Sequence, residues 1–137
     1  MKNFKELDVW KKAHRLTFDP CQTIREFPPE EIYGLTGQMR RAAVSIAANI
    51  AEGCGHRWDG ELTRFLQIAR GSASVLEYHL LLSRDLQFLT EDHYLRFEGE
   101  LNAIQRMLTA LVQRVQPLAS SSQSVKSRRN SLPVARS

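Results

Sequence analysis

The sequence predicts an all-α protein, an antiparallel up-and-down four-helix bundle whose first helix is kinked or broken near Pro20. Three observations carry this. Every long segment repeats its apolar residues at helical period, and no run alternates as a strand would. The segments are separated by short connections, which make successive helices antiparallel neighbours. Ten consecutive residues, Ala42 to Ala51, carry no charge in a chain that is 25% charged. A helix this bland on its outer faces is expected to be covered there, by its own chain or by a second copy.

The first helix is expected over about Lys5 to Glu26, with Val9, Trp10, Ala13, Leu16, Thr17, Cys21 and Ile24 inward. Pro20 interrupts it, because an interior proline removes a backbone bond and its ring meets the preceding turn. Asp19 would then cap a second short piece. Phe27-Pro28-Pro29 predicts an extended turn, since a residue before proline avoids the helical region. The second helix is placed from about Thr36 to Gly53, with Leu35, Met39, Ala42, Ile46 and Ile50 as its apolar arc and Gly53 as its stop.

Asp59 is read as the cap of a third helix running to about Gln87. Its core stripe is Leu62, Phe65, Leu66, Ala69, Ala73, Leu76, Leu80 and Ser83. Gly71, Ser72, Ala73 and Ser74 lie mid-helix, where small side chains let another helix approach; the glycine costs about 1 kcal/mol of propensity, which close packing would offset. Thr90 with Glu91 and Asp92 predicts a well-capped fourth start. Tyr94, Leu101, Leu108 and Val115 then repeat every seven residues, with Phe97, Ile104 and Leu111 between them, as in a bundle seam.

The chain of 137 residues suits one core, assigned to 1–118, followed by a basic Ser/Arg-rich tail, 119–137, that lacks periodicity and reads as disordered. The formal charge of +4 belongs to that tail. Residues 1–118 hold 15 basic and 15 acidic residues, whereas the tail adds Lys126, Arg128, Arg129 and Arg136 without an acid. Met1 to Glu6 lacks the apolar stretch of a secretory signal, and no apolar run approaches the roughly 20 residues of a membrane span. The reading is therefore cytoplasmic, without membrane contact, and with Cys21 and Cys54 unpaired.

Metal and cofactor chemistry find no support. His14, His56, His79 and His93 show no ligand spacing, and Gly53-Cys54-Gly55 lacks the lysine and hydroxyl of a phosphate loop. Gln38, Arg41, Ser45, Asn49 and Glu52 form a polar stripe on the second helix, with Glu77 on the third. No histidine joins them at helical spacing, so catalysis is not expected. They read as a buried structural ladder, with Gln38, Ser45 and Asn49 bonding across helices and Arg41 pairing with Glu52 or Glu77. Unpaired buried polar groups cost roughly 1 to 3 kcal/mol, so such a row selects neighbours and register.

For nucleic acid, the expected contacts are Arg40, Arg57, Arg64 and Arg70, taken as a cluster about the second connection with His56 and Trp58, together with Lys126, Arg128 and Arg129. Sequence-independent RNA or DNA binding follows from such charges.

Three motifs resemble a known family. They are Phe4-x-x-Leu7-x-Val9-Trp10-x-x-Ala13, then Phe27-Pro28-x-x-Glu31-x-Tyr33-Gly34-Leu35-x-x-Gln38, and Arg40-Arg41-Ala42-x-x-Ser45-Ile46-x-x-Asn49-Ile50-Ala51-Glu52-Gly53. The third helix adds Phe65-Leu66-x-x-Ala69-x-Gly71-Ser72 and Glu77. Over residues 4 to 116 the chain resembles the bacterial four helix bundle proteins encoded by intervening sequences in 23S ribosomal RNA genes. The resemblance implies a homopentameric ring without enzymatic activity. It also implies kinship with accessory proteins of diversity-generating retroelements, which bind nucleic acid and a reverse transcriptase. The predicted function is thus a non-enzymatic oligomer that binds RNA or DNA, the alternative being an adaptor for a partner such as a reverse transcriptase. Pro20 and the tail depart from the family pattern.

Overall fold

The computed structural model describes residues 3–20 and 29–115, with backbone alone over 29–33. Four long helical segments account for most of them: α1 (Asp8–Arg15), α2 (Pro29–Cys54), α3 (Asp59–Asp85) and α4 (Glu91–Val115). A single 3-10 turn, Phe4–Glu6, precedes α1, and no strand occurs among the described residues. Each helix packs against its neighbours in chain order, and α4 closes the bundle against α1. The expected four-helix bundle is the fold. The tail, its boundary at 118, and Cys21 and Ile24 lie outside the described residues.

The first helix breaks earlier than Pro20 itself. It ends at Arg15, and residues 16–18 form a turn in which Thr17 N and Thr17 Oγ1 both donate to the His14 carbonyl, at 3.1 and 2.7 Å. The proline explains the offset. Its ring excludes the carbonyl four residues back, Leu16, and it has no N–H to offer that carbonyl. The backbone is helical again at 19–20.

The second helix corrects two expectations. It begins at Pro29, not near Thr36, because proline is accommodated in a first helical turn, where its missing N–H would have no intrahelical partner. Its buried residues are Met39, Ala43, Ile46, Ala47, Ile50 and Cys54, while Ala42 is only partly buried. Gly53 does not stop the helix through a left-handed conformation, since no described glycine has positive φ. It is buried instead, and a Cβ there would stand 3.0 Å from Leu62 Cδ1 and 3.1 Å from Phe65 Cβ. Close approach of α3 is what requires the glycine.

In α3 the buried set is Leu62, Leu66, Ala69, Ala73, Leu76, Leu80 and Ser83, the expected stripe with Phe65 at its edge. Trp58, not Asp59, occupies the cap position, in extended conformation and without a side-chain cap bond; Asp59 and Glu61 sit in the first turn, facing the positive end of the dipole. Ser83 is fully buried and bonds the His79 carbonyl at 2.7 Å and Met39 Sδ at 3.4 Å. The helix closes on Gln87, whose φ is 66°. Thr90 caps α4 as expected, accepting from His93 N at 3.2 Å.

Candidate nucleic-acid interface and subunit surface

Hairpin geometry decides which side chains meet. The α2–α3 connection spans residues 55–58, and across the hairpin Ser45 faces Ser72, their hydroxyls 2.7 Å apart. Asn49 Nδ2 donates to the Ser45 carbonyl at 2.7 Å and to Ser45 Oγ at 3.1 Å. Only this part of the predicted ladder is hydrogen-bonded across or along the seam. Gln38, Arg41, Glu52 and Glu77 are exposed. The described ion pairs place neither Glu52 nor Glu77 with Arg41: Glu52 lies 3.5 Å from His56, one helical turn on. Arg41 runs back along its own helix, its guanidinium nitrogens passing 3.5 and 3.9 Å from the Cβ position of Gly37.

A histidine joins this group, which helical spacing alone did not reveal. His79 lines a groove of about 310 Å³ with Gln38, Arg41, Ser45, Ser72 and Val75. Its Nδ1 is buried without a hydrogen-bond partner. Burial, and secondarily the Arg41 charge, hold the imidazole below its ordinary pKa. The signal was available in the hairpin, since the pairing that sets Ser45 against Ser72 sets Gln38 against His79. The other histidines stack on rings, His14 on Trp10 at 4.9 Å and His56 on Phe65 at 5.1 Å.

Outside this seam the bundle shows apolar side chains. Val44 on α2 and Ile68, Val75 and Tyr78 on α3 are 47%, 40%, 49% and 58% exposed. Ala48 is exposed beside Val44. The uncharged outer face of α2 is therefore left uncovered by the described helices.

The predicted arginines do not form one cluster. Arg40 is exposed on α2, about 21 Å of helix before its end, beside Gly37 and Val44. Arg57 is exposed in the connection next to Trp58, which is 71% exposed. Arg64 bonds Glu61 at 3.3 Å and lies 4.5 Å over the Phe65 ring. Arg70 turns to the other side of α3, where Gln67 Oε1 accepts from its Nη1 at 3.1 Å. There it lines a polar groove of about 650 Å³ between α3 and α4 that also holds Arg106. Arg106 was missed for want of the same pairing, about the turn near residue 88. Lys126, Arg128 and Arg129 lie outside the described residues.

Residues 5–110 match the description 23S rRNA-intervening sequence protein. The chain belongs to the 23S rRNA-intervening sequence protein family. This member shares its fold with a crystal structure from Bacteroides thetaiotaomicron, a protein of unknown function from the S23 ribosomal protein family. The TM-score is 0.68 at 22% identity, covering 77% of this chain and 98% of that one. Likeness at that identity speaks for the fold. Among curated proteins none matches. For this family member, no helix among the described residues is long and apolar enough to cross a membrane.

Proposed function

We propose that the chain is a non-catalytic, homo-oligomeric bundle that binds nucleic acid without sequence preference. The carrying observation is the uncovered apolar face of α2 and α3, where Val44, Ile68, Val75 and Tyr78 stand exposed around a seam of neutral Ser and Asn. An apolar face of this kind on a folded chain marks a contact with another protein surface. A second copy is the simplest occupant, because identical chains meet at matching concentration and close by symmetry. Five copies is the number the family resemblance supplies.

Absence of catalysis accords with the seam chemistry. Ser45 has Ser72 and Asn49 for partners, none of them a base, and His79 bonds neither serine. Nucleic-acid binding draws on the arginines without carboxylate partners and on the tail's uncompensated charge, which an oligomer multiplies around one axis. Sedimentation at micromolar concentration tests assembly: an oligomer is expected, and a stable monomer overturns the reading. For nucleic acid, affinity is expected to fall steeply between about 50 and 200 mM salt, and an affinity indifferent to salt refutes phosphate recognition.

A further inference from the structure

The polar groove between α3 and α4 holds two arginines that none of the described ion pairs engages. Its walls carry Arg70 and Arg106 together with Gln67, Ser74, Gln105 and Thr109, and no carboxylate lines it. Two other arginines find an acid, Arg64 in Glu61 and Arg84 in Asp85. Neither Arg70 nor Arg106 has an acid three or four positions away along its helix, and the described ion pairs include neither. Two guanidinium groups sharing one groove repel each other unless an anion lies between them.

We propose that this groove takes the phosphodiester backbone of a nucleic-acid strand, with Arg70 and Arg106 contacting phosphates from opposite walls. The proposal rests on the nucleic-acid reading above and names its site. The register of the walls is pinned, because Gln105 Nε2 donates to the Arg70 carbonyl at 3.2 Å and lies 3.5 Å from Ser74 Oγ. Arg70 is half-buried and steadied by Gln67, so its fork is oriented before any ligand arrives. Neutral amides and hydroxyls supply further partners for phosphate and sugar oxygens.

Shape favours a strand over an enclosed small molecule. From Gln67 to Ser74 the wall runs about 10 Å along the α3 axis, an open track rather than a closed cavity. Gly71 leaves that wall bare: a Cβ there would meet nothing within 4 Å. Position matters as well. At 100° per residue Arg70 lies about 140 to 160° around α3 from Val75 and Ile68 and about 80° from Tyr78, so assembly centred on the two aliphatic residues leaves the arginine side of the groove open.

The test is fluorescence anisotropy of a labelled oligouridylate with the full chain, its Arg70→Gln/Arg106→Gln double variant, Lys5→Gln/Lys11→Gln as a comparison that removes the same charge at two exposed positions outside the groove, and Gly71→Leu. The double variant is expected to lose about 10-fold or more in affinity, and its salt slope to fall by about 1.4, the value for two single-strand phosphates. Lys5→Gln/Lys11→Gln should change little. Gly71→Leu should weaken binding by filling the groove while its helix gains stability, which separates blocked access from misfolding. If the native chain binds and the double variant binds equally well with an unchanged slope, the groove is overturned and the nucleic-acid reading stands. If the native chain binds no oligonucleotide at low salt, both fall.

Discussion

Gln87 is the one non-glycine residue among those described with positive φ, and it closes α3 by a Schellman pattern. Phe88 N donates to the Ser83 carbonyl at 2.8 Å and Gln87 N to the Arg84 carbonyl at 2.9 Å. A left-handed L-residue costs roughly 1 to 2 kcal/mol, so Gln87→Gly is expected to stabilise the fold by about 1 kcal/mol in chemical denaturation. Two titrations carry opposite signs. His79 is held below its ordinary value of 6.5 by burial and then by Arg41. The unfolded chain therefore takes up the proton first, and stability present above about pH 6.5 is lost as pH falls through the lowered folded value. Tyr94 is pushed from 10.0 to about 12, first by its hydrogen bond with Glu98 and then by burial. Its contribution is complete below pH 10 and lost as pH rises from there toward 12. Denaturation midpoints measured across both windows, with His79→Gln and Tyr94→Phe for attribution, check the two signs: each substitution should flatten its own window and leave the other unchanged.

Among the helices, legibility followed contrast between neighbouring residues. Helix α3 alternates large apolar and charged positions, so its stripe was readable down to the buried Ser83. In α2 the alanine run has almost no contrast: Met39, Ile46 and Ile50 of the arc are buried as expected, but Ala42 is only partly buried and the buried Ala43 and Ala47 lie off the arc. The α4 heptad drifted for a different reason: Tyr94 to Val112 is five turns at 3.6 residues, so a straight helix buries Val112 where a strict sevenfold repeat expects Leu111. The arginines and His79 were misjudged because their grouping depends on hairpin register, which no single helix period contains. Glycine shows the same limit. Gly53 and Gly71 look alike in sequence, yet one is pressed against α3 and the other borders open space. Gly71→Ala is expected to raise stability by about 1 kcal/mol through helix propensity alone. Gly53→Ala should lower it by about 1 kcal/mol, because crowding Leu62 and the backbone outweighs the same propensity gain. Urea midpoints of the two variants should move in opposite directions.

At the scale of the whole molecule, the apolar α2–α3 face and the hydrogen-bonded seam beneath it make different demands on assembly. The Ser45–Ser72 contact is satisfied within one chain and needs no second copy. Val44 and Val75 are covered by nothing among the described residues, and about half of each residue's possible surface meets water. Assembly driven from that face would show mass-action behaviour, because a partner that binds only the folded chain stabilises it in proportion to the logarithm of its concentration. The melting temperature of the native protein is therefore expected to rise with protein concentration. Val44→Glu and Val75→Glu place a charge on the face at positions already open to solvent, so each monomer should keep its helical content and its own cooperative unfolding. What each variant should lose is the concentration dependence, together with the sedimentation of an oligomer, since burying an unpaired carboxylate is strongly unfavourable. A charge on Leu95, which is 52% exposed on α4, should leave assembly intact. If that variant dissociates the oligomer and the valine variants do not, the subunit contact lies on α4 and the face on α2 and α3 serves another partner.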